Sequence, residues 1–253
     1  MKLSATSVVL RPRGMLEVLD LALRVRGRDR AVYRRVALTT LVPAATLCVT
    51  LALLGVAPWI VWLLALVSAW LVEGAFTGAA GELMFTSGRM RSSTFWPRLH
   101  EHVLTRALAL STIALSTLLL LTPWVAARLL FVPEVLQLEG VAGFAALRRA
   151  AQVTSGRLGA HVGMALALLG ARAVYVALFV GLGVTVADLV LQALPSAQLF
   201  AFAQLLALVG WFAAVPYVAV ARFLMYIDAR TRREGWDLQV RFMAIAAAAV
   251  DAA

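Results

Sequence analysis

Four charged residues, Glu73, Arg128, Arg172 and Asp188, stand within or at the edges of apolar runs long enough to cross a bilayer. A charge at the centre of a membrane costs at least ~2.5–3.5 kcal/mol. Such residues either pair and hold helices together, or line a polar path for a solute or protons; their types and spacing leave both roles open. Counting ~1.5 Å per helical residue from each run boundary puts Glu73 and Arg172 deep, near the midplane or on its inner side. The same count puts Arg128 and Asp188 near the outer face. Depth therefore predicts a Glu73–Arg172 pair and an Arg128–Asp188 pair, with Glu134 lacking an obvious partner.

Residues with the chemistry of an enzyme are sparse. LHEHVL carries His100 and His102, but positions i and i+2 of a helix face apart. The segment is not HExxH, and no third ligand is evident, so no metal site is expected. His161, at the start of a span, has no GxSG-type serine to activate. GLG at 181–183 lacks the rest of a dinucleotide fingerprint. These glycines, with Gly74, Gly78 and Gly81, fit close helix packing instead. No catalytic residue and no cofactor is expected.

Arginine is the other candidate chemistry. Arg148, Arg149 and Arg157 precede one long apolar run, and Arg230, Arg232 and Arg233 follow the last one. Positive residues beside spans fix orientation. Arginine forks also match phosphate oxygens, so beside their first role as topology signals the six residues are candidates for docking an anionic lipid headgroup or a partner. Tyr226 closes the last apolar run as an expected membrane-boundary residue. Leu238, Phe242 and Ile245 recur at helical spacing, which predicts an interfacial helix over 234–247.

The elements that must position these residues are helices in a membrane. The chain is 62% hydrophobic and 14% charged, with a mean hydropathy of +0.89, whereas soluble domains carry about 25% charged residues. The net charge of +10 is nearly all arginine, against the single Lys2. Because these charges flank spans, they indicate orientation and lipid contact rather than nucleic acid. Cys48, the only cysteine, excludes an intramolecular disulfide and a thiolate metal cluster. The N-terminal residues lack the apolar core of a cleavable signal.

The expected fold is all-α and polytopic, a single integral membrane domain over 1–253. Residues 1–35 form an amphipathic segment, 36–226 a transmembrane bundle and 227–253 an interfacial tail. Six spans are predicted: Val36–Val56, Pro58–Gly78, Leu104–Thr122, the short Pro123–Leu138, Leu158–Val184 and Leu199–Tyr226. Connections near 55–58, 122–124 and 194–197 carry no Lys or Arg, while residues 1–35 carry nine. The positive-inside rule then gives three hairpins with both termini cytoplasmic. Trp59 and Trp124 fit an outer interface belt. Amphipathic stripes of Leu16, Leu19 and Leu23, of Phe95, Leu99 and Val103, and of Phe144, Leu147 and Ala151 precede the three hairpins.

Three segments together resemble a known family. They are LRPRGMLEVLDLALRVRGRDRAVYRRVAL, LEGVAGFAALRRAAQVTSGRLGAHVGMALAL and MYIDARTRREGWDLQVRF. Their order relative to the spans is similar to that of bacterial six-span proteins related to the membrane domain of glycerophosphoryl diester phosphodiesterases. Ala150 stands where that pattern has a serine. The acidic metal ligands and histidines of the phosphodiesterase barrel have no counterpart here. The resemblance thus implies a stand-alone membrane module of the bacterial inner membrane. It also implies a class of partner, other envelope membrane proteins or an AAA-type ATPase. The expected function is a non-catalytic membrane scaffold or accessory subunit that docks lipid headgroups or proteins. The alternative is a transporter or lipid-handling module using the intramembrane charges.

Overall fold

The computed structural model describes residues 13–85, 99–117, 121–191 and 196–235, and every regular element among them is helical. In chain order these are α1 (Met15–Arg28), α2 (Arg30–Val36), α3 (Val42–Leu53), α4 (Pro58–Phe85), α5 (Leu99–Thr117), α6 (Thr122–Arg128), α7 (Val132–Glu134), α8 (Gly143–Thr154), α9 (Leu158–Leu191) and α10 (Ser196–Glu234). Widened π turns at Ala37–Leu41 and Val135–Glu139 join α2 to α3 and extend α7. Prolines open α6 and α7, where a missing N–H breaks no helical bond, whereas Pro43 follows the π turn inside the continuous helix Arg30–Leu53. The α3–α4 reversal turns on Gly55 at φ 76°, a left-handed conformation that a side chain would oppose.

Among the described residues, four helices are long and apolar enough to cross a membrane: Arg30–Leu53, Pro58–Met84, Leu158–Leu189 and Leu199–Arg233. Counting the bent pair Thr122–Glu139 and Gly143–Thr154 as one span would make five. On α9, Leu166, Leu169, Val174, Leu178, Leu182, Val186 and Leu189 all lie exposed. This face runs about 35 Å at ~1.5 Å per residue, enough for a hydrocarbon layer of about 30 Å. In water so long an apolar strip would drive aggregation; in a bilayer it meets acyl chains.

The core is organised around the C-terminal half of α10. From Ala214 to Ala229 every residue is buried, because α1, α4 and α9 pack against that helix. Tight seams make this possible. A Cβ at Gly210 would lie 2.9 Å from the Val176 Cα and 3.0 Å from the Tyr175 carbonyl oxygen. Helix α1 runs antiparallel to α10: the Arg13 N–H donates to Asp228 at 2.7 Å, and the Tyr217 hydroxyl to the Leu19 carbonyl at 3.3 Å. The packed face of α1 is Val18 and Ala22, while Leu16 is 76% exposed and Leu23 52%. Leu16 and Leu23 of the expected amphipathic stripe thus face outward, and Leu19 is partly buried against the core. On α8 the buried face is Ala146, Leu147, Ala150 and Val153, and Phe144 points outward. Phe95 and residues 236–253, including the expected interfacial helix, lie outside the described residues.

The expected second hairpin, Leu104–Thr122 with Pro123–Leu138, is not confirmed: among the described residues neither segment by itself is long and apolar enough to cross. Helix α5 runs beside α8: the Gly143 N–H donates to Thr105 Oγ1 at 2.8 Å, and Thr112 shares a cavity with Phe144 and Gln152. The Thr154 hydroxyl lies 3.3 Å from the Arg128 carbonyl oxygen. Helix α6 has seven residues, about 10 Å of rise. The Thr122–Trp124 turn is thus held near the end where α9 begins, far from the α3–α4 reversal. Helices α5 to α8 collect at this end, which also carries Arg157, Arg232 and Arg233; we call it the basic end.

Candidate functional site

Five helices each place one charged residue in a common interior cluster. These are Glu73 on α4, Arg106 on α5, Glu134 on α7, Arg172 on α9 and Arg222 on α10. Arg172 Nη2 donates to Glu73 Oε1, and Arg222 Nη1 to Glu73 Oε2. Arg222 Nε then reaches Glu134 Oε1 at 2.8 Å, and the Thr77 hydroxyl donates to the same oxygen at 3.4 Å. Glu73, Glu134 and Arg222 are buried, so each charge relies on its partners rather than on water. Aromatic faces finish the enclosure. The Arg172 guanidinium sits 4.2 Å from the Trp211 ring centroid, and that of Arg106 sits 5.5 Å from Trp70, favourable placements for a cation.

The expected Glu73–Arg172 pair is present. The Arg128–Asp188 pair is not: both residues are exposed, and they lie at opposite ends of the molecule. Arg128 sits by Thr154, just before α9, whereas Asp188 is in the last turn of α9, about 45 Å further along that helix. Glu134, without a partner in the sequence reading, is held by Arg222. That reading missed both Arg222 and Arg106. Their signal was available: each is an arginine one turn or less inside an apolar run rather than beyond it.

The six docking arginines divide into three settings. Glu139 binds Arg149 at 2.7 Å and Arg230 at 3.5 Å, and also accepts from the Tyr226 hydroxyl. Tyr226 is thus a fully buried core residue. Arg148 is exposed beside a cavity of about 740 Å³ that Arg128 and Arg149 also line. Arg157, Arg232 and Arg233 meet at a second cavity of about 580 Å³, joined by Arg13. Arg232 Nε is 2.8 Å from Asp228 Oδ2, and its Nη2 donates to the Arg13 carbonyl. Arg233 donates to the Ser155 hydroxyl. Met15, Val153, Ala160 and Met164 supply apolar wall. The result is an amphipathic pocket with four arginines, one aspartate and the buried His161.

No family model, curated protein or solved structure matches the chain. Its chemistry is therefore argued from its own side chains. Among the described residues, no three of His, Cys, Asp or Glu converge as metal ligands. His100 is exposed while His102 is buried, so the two face apart. Cys48 is buried, with its sulfur 3.9 Å from the Ser68 hydroxyl on α4. Two arrangements remain that can act: an interior cluster of mutually bound charges, and a basic, partly apolar pocket at one end.

Proposed function

We propose that this chain is a non-catalytic accessory or scaffold subunit of the bacterial cytoplasmic membrane. Its basic end faces the cytoplasm with both termini, and there it holds the headgroup of an anionic phospholipid and docks a partner protein. The observation that carries the reading is the 580 Å³ pocket, lined by Arg13, Arg157, Arg232 and Arg233 with Asp228 as the acid in its wall, Arg13 being also paired with Glu17 at 3.4 Å. Arginine forks suit phosphate oxygens, and the apolar wall suits the first carbons of an acyl chain. The pocket adjoins the start of α9, shortly before its exposed apolar face begins at Leu166. A lipid seated there keeps its headgroup at the interface and its tail along the helix.

The arrangement we favour has four crossings, with α5 to α8 gathered on the cytoplasmic side; an even number returns the chain to the side on which it began. The arginine distribution supports this orientation. The family resemblance, to a membrane module without its phosphodiesterase barrel, points to the same class of role. It also points to envelope membrane proteins or an AAA-type ATPase as the partner. A transporter or lipid-handling role would draw on the interior charges. The mutual pairing of Glu73, Glu134, Arg172 and Arg222 across four helices favours holding the bundle together instead.

Purification in mild detergent followed by native mass spectrometry tests the reading. The wild-type protein should retain phosphatidylglycerol or cardiolipin, and the Arg157→Gln/Arg233→Gln variant should lose most of it while folding normally. Equal retention by both proteins would reject the pocket as the lipid site. Substrate flux in proteoliposomes would move the assignment to a transporter.

A further inference from the structure

The interior cluster is incomplete in one specific way. Arg106 is only 2% exposed, yet among the described residues Nε, Nη1 and Nη2 all lack a hydrogen-bond partner. Arg222 Nη2 and Glu134 Oε2, in the same cluster, are also buried and unpartnered. The carboxylates near enough to act on Arg106 electrostatically are Glu73 and Glu134, and both are already engaged by Arg222. The cluster therefore holds three guanidiniums against two carboxylates, a surplus of one positive charge. Arg106 and Arg222 also repel each other. The stretch of chain just before α5, residues 86–98, contains no Asp or Glu that could supply the missing charge.

Water alone would satisfy the donors but not the charge. An uncompensated buried ion carries a desolvation penalty of several kcal/mol, and buried polar groups in native proteins are overwhelmingly partnered. We propose that Arg106 and Arg222 Nη2 bind a small monovalent inorganic anion, of halide or nitrate size, inside the bundle. One negative charge neutralises the surplus. Four orphaned guanidinium nitrogens offer donors, and the Trp70 ring beneath Arg106 limits the direction from which the ligand can approach. Glu134 Oε2 repels an anion, which places the site on the Arg106 side of Arg222, with Glu134 Oε2 left to a water molecule. The anion then acts as a sixth member of the cluster and locks α5 onto α4 and α10. This site is separate from the basic-end pocket, because it uses none of that pocket's arginines.

The test compares thermal unfolding of the purified protein in sodium chloride, bromide or nitrate with unfolding in sodium gluconate at equal ionic strength. A ligand bound only to the folded state raises Tm by mass action, here by roughly 5–10 °C once it exceeds its Kd a hundredfold. The Arg106→Met variant should show the same Tm in chloride and gluconate. If that variant does not fold, anomalous scattering from wild-type crystals grown in bromide locates the ion directly, with a peak within hydrogen-bonding distance of Arg106. Equal wild-type Tm values in chloride and gluconate would overturn the proposal. So would a halide effect that survives Arg106→Met, or a bromide peak elsewhere without one at Arg106.

Discussion

Arg222 on α10 donates from Nε to Glu134 on α7 at 2.8 Å, across 88 residues of sequence. The same guanidinium holds Glu73 on α4 through Nη1, so one side chain ties the final helix to two earlier ones. Replacing Arg222 with Gln leaves two buried carboxylates short of a partner, a loss of about 3–5 kcal/mol. Thermal unfolding in detergent should show a large drop in Tm. Arg222→Lys should recover only part of it, since an ammonium cannot fork between two acids. An unchanged Tm for Arg222→Gln would remove the clamp from the account of the fold.

Glu73 serves both Arg172 and Arg222, whereas Arg172 also rests on the Trp211 ring. Glu73→Gln should therefore destabilise more than Arg172→Gln. The double variant should lose less than the sum of the two, with a coupling of roughly 0.5–3 kcal/mol. Additive losses in a double-mutant cycle would show that the contact contributes nothing of its own.

The α9–α10 seam depends on a missing side chain. Gly210→Ala pushes a methyl group into the α9 backbone at Val176, an overpacking cost of about 1–3 kcal/mol. Gly170, on α9, has nothing within 4 Å of a built Cβ. Gly170→Ala should be neutral or slightly stabilising, because alanine is the better helix former. Parallel unfolding curves check the pair. Equal behaviour would mean that the seam relaxes without loss.

Topology can be read with single cysteines in a Cys48→Ala background. A membrane-impermeant maleimide applied to spheroplasts should label Ala57→Cys from outside. It should leave Leu121→Cys unlabelled until the membrane is opened, because α6 holds that turn near the basic end. Outside labelling of Leu121→Cys would restore the six-span arrangement.

The sequence reading succeeded where its assumption of upright, crossing helices holds. Glu73 and Arg172 lie on α4 and α9, both long enough to span, so counting residues placed them at matching depth. The same count failed for Arg128 because α6 ends after seven residues and never makes the journey the count presumes. Arg222 was overlooked because Tyr226 was taken as the membrane edge, which made a nearby arginine look like part of the boundary. Tyr226 is bound to Glu139, a contact between residues 87 apart that no local pattern encodes. Helix α1 carries two apolar faces: Leu16 and Leu23 of the expected amphipathic stripe lie exposed, while small Val18 and Ala22, which no stripe singled out, admit close approach to α10.

The cluster also imposes an order on biosynthesis. Glu73 leaves the ribosome 99 residues ahead of Arg172 and 149 ahead of Arg222, so α4 reaches the translocon carrying an acid whose partners do not yet exist. Arg172 on α9 reaches Glu73 first, while Glu134 waits for Arg222 on α10 and until then stays hydrated or protonated. A chain stalled before Arg222 therefore keeps Glu134 without the guanidinium that neutralises it in the finished bundle, and α7 stays untied from the last helix.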